Sequence, residues 1–260
     1  MVHRETRQWN AINAVLERVR EHPAVRAAFL KGSLARGEGD EWSDIDFYCL
    51  VYDERMPQFL EDRLNILQAY RPLLFWSHAN FVGPQVVAVY DDGLHFDLYT
   101  VTEATLKNTD AIKVLYDPEG ILRSYRVLEL ALTPVQAGMA FNSFSFSLLE
   151  FEAAFRRNDF LWASRLASHL TSFLAQLFRY LYQREQSQLG FKNLSFVMPV
   201  EVREQMQKAM DMIGPSFLPD GVTMIVRLAE EVYKALPEDV RVHVNEPFFR
   251  FMKDKIVRLK

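Results

Sequence analysis

The run Lys31-Gly32-Ser33-Leu34-Ala35-Arg36-Gly37-Glu38-Gly39-Asp40-Glu41-Trp42-Ser43-Asp44-Ile45-Asp46 holds the residue types that do chemistry. It follows an apolar stretch, residues 24–30, suited to a buried strand. Gly32, Gly37 and Gly39 let the backbone turn tightly and approach another group closely. Ser33 is placed to cap a short helix after the turn, and N–H groups exposed at such a turn suit a phosphate. Lys31 and Arg36 add positive charge nearby. Asp44 and Asp46 then open a second strand, residues 44–51. Alternation puts both carboxylates on one face and Ile45, Phe47 and Cys49 on the other. Two carboxylates side by side repel unless a cation lies between them. Mg2+, which takes one or two carboxylates together with substrate phosphates, meets that need. A third carboxylate, Asp97, sits mid-strand within residues 94–101, where an unpaired charge is costly to bury. Three strand carboxylates beside a phosphate-binding turn are the parts of a two-metal phosphoryl or nucleotidyl transfer site.

Gly32-Ser33, ten residues, Asp44-x-Asp46 and a later strand aspartate, Asp97, resemble the motif of the DNA polymerase β-type nucleotidyltransferase superfamily. Within it, Gly32-Ser33-x-Ala35-Arg36-Gly37-Glu38 and Ser43-Asp44-x-Asp46 are similar to the small bacterial enzymes that adenylylate antibiotics. With its length and helical second half, the chain looks most like the lincosamide and aminoglycoside nucleotidyltransferases. The resemblance implies Mg2+-dependent transfer of a nucleoside monophosphate, AMP from ATP, to a hydroxyl of a small-molecule acceptor, with pyrophosphate leaving. It implies that Gly32 and Ser33 hold the β- and γ-phosphates, and that Asp44 and Asp46 ligate the metal. Asp97 is the third carboxylate, a metal ligand and the acceptor of the hydroxyl proton. It also implies a homodimer. Two other readings stay open: an adenylylating modifier of a partner protein, of the antitoxin type, and an inactive nucleotide-binding relative. Lys31 departs from the family, which often has an aromatic or apolar residue there; a solvated strand end is the expectation, an extra phosphate contact the alternative.

The elements that position these residues fall in two halves. Residues 1–125 read as mixed α/β: a helix at 7–21, strands at 24–30 and 44–51, a helix at 57–70, and strands at 73–76, 86–90 and 94–101. Asp91-Asp92-Gly93 makes a hairpin turn before the last strand. The order predicts a mixed sheet with helices on one side. In residues 126–260, Phe141, Phe144, Leu148, Phe151 and Phe155 recur at helical spacing, as do Trp162, Leu166, Leu170, Phe173, Leu177 and Leu181. Two long helices joined near Asn158-Asp159, two more after Pro199 and Gly221, and a last one near the C-terminus predict a helical bundle. The fold class is therefore α+β: a nucleotidyltransferase domain at 1–125, then a helical, acceptor-binding domain at 126–260, with the site expected in the cleft between them.

Other residues carry weaker expectations. Arg36 faces phosphate or makes a surface salt bridge, and Ser43 caps the strand entry or touches the phosphates. Lys192, in the loop Gly190-Phe191-Lys192-Asn193, is a candidate nucleotide contact. His95 shares a face with Asp97 and reads as a sheet histidine before a substrate-orienting one. Glu150 and Glu152 read as a solvated helix face, and His169 as a buried structural histidine.

Composition narrows the function classes. The 260 residues are 49% hydrophobic and 25% charged, which sustains a core without staples. The single cysteine, Cys49, excludes an internal disulfide and any CxxC metal motif. Residues 1–125 carry 13 basic and 19 acidic side chains, and residues 126–260 carry 17 and 15, for a net charge of −4. That balance argues against nucleic acid as partner. There is no apolar run of membrane-spanning length and no apolar leader in the polar stretch 1–8, so a soluble cytoplasmic protein is expected.

Overall fold

The computed structural model describes residues 6–80 and 83–259, so Met1–Glu5 of the polar leader stretch lie outside the described residues. The chain divides into two compact units, Met1–Leu128 and Glu129–Lys260.

The first unit is α+β. Helix α1 (Arg7–Glu21) starts where the Thr6 side chain accepts a hydrogen bond from the Trp9 N–H, and buries Ile12, Val15, Leu16 and Val19. Strand β1 (Val25–Lys31) runs into a short helix, α2 (Gly32–Arg36). Strand β2 (Ile45–Val51), helix α3 (Met56–Leu67), and strands β3 (Leu73–Ala79), β4 (Gln85–Tyr90), β5 (His95–Val101) and β6 (Lys113–Tyr116) follow. The sheet order is β3-β4-β5-β2-β1-β6. Among the described strands, β2 and β5 pair in parallel and the other sheet neighbours are antiparallel. One face, with Ile45, Phe47, Cys49, Phe96 and Leu98, packs on α1 and α3. The opposite face, with Phe29, Tyr48, Leu50, Tyr99 and Val101, is covered by Leu106, Ile112, Ile121 and Leu122 from the segments around β6. Helices thus flank one side, as the element order predicts. The sixth strand is an addition: it is only four residues long and pairs with β1 far away in sequence, so no local period marks it.

The second unit is helical: α4 (Pro134–Arg156), α5 (Phe160–Tyr182), α6 (Val200–Asp211), α7 (Asp220–Ala235), α8 (Glu238–Arg241) and α9 (Glu246–Val257). Thr133 and Gln136 form a capping box at the start of α4, and Asp159 caps α5. The phenylalanine stripe is core: Phe141, Phe144 and Phe151 are fully buried, and each such side chain contributes roughly 1.5–3 kcal/mol. Three readings of this half are corrected. Trp162 is mostly exposed, because it lies in the first turn of α5 before that helix enters the core. His169 is exposed and packs edge-on against Phe173. Glu152 is buried, where it accepts hydrogen bonds from Arg156 and pairs with Lys255 of α9.

Candidate active site

β1 ends at Lys31, and the chain turns at once into α2. Gly32 makes the turn at φ +68°, in the left-handed region. A Cβ here would collide with the Asp46 carboxylate, so glycine is required both by the backbone and by the acid lying against it. Ser33 is buried, and its carbonyl accepts from the Glu38 N–H at 2.9 Å, which closes the short helix.

The parallel pairing of β2 with β5 sets Asp46 beside Asp97. Asp44 lies immediately before β2 and is half-buried, whereas Asp97 is buried. His95 stands two residues before Asp97 on the same strand face. Its Nε2 donates to Asp97 Oδ1 at 3.1 Å, and its Nδ1 lies 4.0 Å from Asp44 Oδ2. One potential ligand atom from each of Asp44, His95 and Asp97 lies within 4.8 Å of the others. Asp46 pairs with Asp97 across the two strands, and its carboxylate lies against Gly32. The hydrogen bond to Asp97 raises the His95 pKa above its ordinary value against the effect of burial, and the charges of Asp97, Asp44 and Asp46 add to the rise. The donor set, carboxylates plus one imidazole close together, fits a divalent cation.

On the same sheet face as Asp46 and Asp97, the rings of Phe29, Tyr48 and Tyr99 stack across three strands, with centroids 5.2 and 4.3 Å apart. Burial, then the charge of Asp46, pushes the Tyr48 and Tyr99 hydroxyls up, so both stay neutral.

Lys31 differs from the expectation of a solvated strand end. It is buried, and its Nζ donates to the carbonyls of Lys107 at 2.7 Å and Thr109 at 3.1 Å. The ammonium also lies over the rings of Tyr48 and Tyr125. Burial lowers its pKa to about 8, although the charges of Asp110 and Asp46 oppose the shift. The Tyr125 hydroxyl contacts the carbonyls of Lys107, Thr109 and Asp110, so two side chains pin this loop. The loop in turn holds Arg36, which pairs with Asp110 and with Glu38. Arg36 thus takes the ion-pair alternative. The Ser43 hydroxyl donates to Asp40 Oδ1 at 2.9 Å and accepts from the Asp40 N–H, so it ties the turn that precedes Asp44. Lys192 belongs to the second unit, with its side chain exposed and its carbonyl accepting from the buried Arg179.

Sequence reasoning missed Gln8. This buried side chain on α1 donates to the carbonyls of Asp40, Glu41 and Ser43 at 3.0–3.3 Å and so fixes the backbone leading to Asp44. Its signal was a polar residue one helical turn before Ile12 on the core face. Cys49 faces the helix side of the sheet, fully buried, and burial pushes its thiol up.

Residues 12–117 match the family model described as nucleotidyltransferase domain. They are a nucleotidyltransferase domain. The match includes Gly32, Ser33, Asp44, Asp46, His95 and Asp97, and the chemistry of the nucleotidyltransferase domain is nucleotidyl transfer. No curated protein matches the chain. A crystal structure of an aminoglycoside 6-adenyltransferase from Bacillus subtilis aligns over 98% of this chain and 100% of its own, at 14% identity and a TM-score of 0.41. Among the described residues, no helix is long and apolar enough to cross a membrane.

Proposed function

We propose that this nucleotidyltransferase moves AMP from ATP to a hydroxyl of a small-molecule acceptor of the lincosamide or aminoglycoside class. The observation that carries the reading is the grouping of Asp44 and Asp97, with Asp46 beside Asp97 in the sheet and against Gly32, inside the matched domain. Asp44, Asp46 and Asp97 hold Mg2+, which when bound supplies Lewis-acid stabilisation of charge on the phosphates. The Gly32 turn, free of a Cβ, and Ser33 receive the β- and γ-phosphates. The acceptor oxygen forms a bond to the α-phosphorus as the bond to pyrophosphate breaks. Its proton passes to Asp97, the buried carboxylate of β5. Arg36 and Ser43 serve the nucleotide side by holding α2 and the turn before Asp44.

The test is pyrophosphate release from ATP and Mg2+ across a panel of lincosamides and aminoglycosides, with Asp44→Asn as the blank. Release that depends on one acceptor and vanishes in the variant is expected. Silence across the panel with ATP still bound would overturn the small-molecule acceptor and direct the search to a partner protein. Silence with no ATP bound would overturn the catalytic reading itself. A homodimer belongs to the same proposal, and light scattering at assay concentration reads it.

A further inference from the structure

We propose that the acceptor docks on the site-facing side chains of β3 and β4, Phe75, Val87 and Val89, and that it is a molecule with an uncharged apolar face: the lincosamide class rather than the polycationic aminoglycosides. The proposal rests on the reading of the chain as a transferase to a small-molecule hydroxyl, and it narrows the substrate of that reading.

Three observations carry it. The first is the direction of attack. Transfer of this type sets the attacking and leaving oxygens roughly in line across the phosphorus. Pyrophosphate leaves on the side of Gly32 and Ser33, where β1 passes into α2. The sheet order, β3-β4-β5-β2-β1-β6, places β1 on one side of the carboxylate strands β2 and β5, and places β4 and β3 on the other. The acceptor therefore reaches Asp97 over β4 and β3.

The second observation is what stands there. Val89 pairs with His95 and Val87 with Asp97, and Phe75 and Ser77 continue the same two rows on β3. Residues paired across a sheet share a face, so these four lie on the face of the acids. Trp76 and His78 take the other face, where the Arg63 side chain of α3 lies 3.4 Å from His78 Nδ1. On the site face, Leu106, Ile112, Ile121 and Leu122 cover residues of β1, β2 and β5, and that cluster includes no residue of β3 or β4. Phe75 is left 53% exposed, with Val87 and Val89 half-buried. The strip is about 10 Å wide from β5 to β3 and about 7 Å from one row to the next. It suits one small molecule whose hydroxyl sits at Asp97.

The third observation is chemical. Among the described residues, no charged side chain stands on this face of β3 or β4. A polycation would lose hydration here without gaining an ion pair, since the nearby acids are engaged by the metal. An alkyl group gains by covering Phe75 and the two valines. Lincosamides present alkyl groups beside a hydroxylated sugar, whereas aminoglycosides present several ammonium groups.

The experiment titrates the full chain, loaded with Mg2+ and the unreactive analogue α,β-methylene-ATP, with lincomycin and with kanamycin by isothermal calorimetry. The variants are Phe75→Ala and Phe75→Asp, both at an exposed position, with a circular-dichroism melt to check folding. We expect lincomycin to bind the wild type about tenfold or more tighter than kanamycin, and Phe75→Ala to weaken lincomycin by about tenfold. The Kd of the nucleotide analogue should stay within about twofold, because Phe75 lies on the acceptor side. Phe75→Asp should reverse the preference by offering a carboxylate to the amines. In turnover Phe75→Ala should raise the KM for lincomycin and leave kcat near the wild-type value, as Phe75 touches no reacting atom. Lincomycin binding that is absent or indifferent to both substitutions, or kanamycin bound more tightly by the wild type, would overturn the proposal. So would a loss confined to the nucleotide analogue, or a change confined to the mass in light scattering, which would make the strip an interface between copies. Phe75-dependent lincomycin binding without pyrophosphate release from ATP would instead overturn the transfer reading and leave the docking strip standing.

Discussion

The two units handle buried charge in opposite ways. In the helical unit, charge is closed off within the fold. Glu152 lies between Arg156 and Lys255. The fully buried Arg179 donates to the carbonyls of Gly190 and Lys192 and to the Gln183 side chain, so it splints the turns after α5. In the α/β unit, three carboxylates gather at the entrance to β2 and within β5, where His95 donates to Asp97. Lys31 holds the carbonyls of Lys107 and Thr109, and Arg36 holds Glu38 and Asp110. Bringing like charges together opposes folding. The difference teaches which charges the fold uses for itself and which it carries for a ligand.

The largest expected effect follows from that distinction. Asp44→Asn should lower kcat/KM by about a thousandfold or more, equivalent to about 4 kcal/mol of transition-state stabilisation. The melting temperature should stay level or rise slightly, since one of the gathered negative charges is gone. Steady-state pyrophosphate release and calorimetry on the same preparation make the comparison. A parallel fall in both would mean that Asp44 supports the fold and would erase the contrast between the units.

Next comes a substitution with the reverse profile. Phe144 is fully buried, with the rings of Phe141 and Phe249 at 6.0 and 6.4 Å. Phe144→Ala should cost about 3–5 kcal/mol through lost transfer energy and the cavity left behind. Urea denaturation followed by circular dichroism reads this, and Mg2+ binding by the α/β unit should be unchanged below the transition. Metal binding that fell with stability would blur the division.

How much of this was legible in the sequence depends on how local each cause is. The glycine turn and Asp44-x-Asp46 lie on one short run, and strand alternation fixes their common face. His95 and Asp97 share a face for the same reason, so their pairing was readable though not its closeness to Asp44. Lys31 was misread because its partners are remote: the Lys107 carbonyl is 76 residues away, and no short window shows a lysine that it will be capped by backbone oxygens and two tyrosines. Glu152 failed similarly. Its i+4 partner Arg156 was visible, but burial against α9 and Lys255 was not. Gln8 was a polar residue on a core face, and only the folded loop at Asp40–Ser43 explains it.

Glu152 also supplies the smallest and sharpest test. Its side chain is 5% exposed, and burial alone pushes its carboxyl up. The hydrogen bonds from Lys255 and Arg156 outweigh that and hold it below its ordinary value of 4.5. A folded-state value below the unfolded one means that the unfolded chain binds the proton more readily. The stabilisation is therefore complete above the unfolded value and is lost as pH falls through the folded one. Arg156 is 61% exposed, so water screens its half of the pair and the gain is modest, about 1–2 kcal/mol. Glu152→Gln cannot ionise, so the wild type should exceed it by a constant margin in urea denaturation at pH 7 and pH 6. The margin should shrink progressively as pH falls below about 4.5. A margin indifferent to pH would show that the ionised pair adds nothing, and that the helical unit tolerates its buried acid rather than using it.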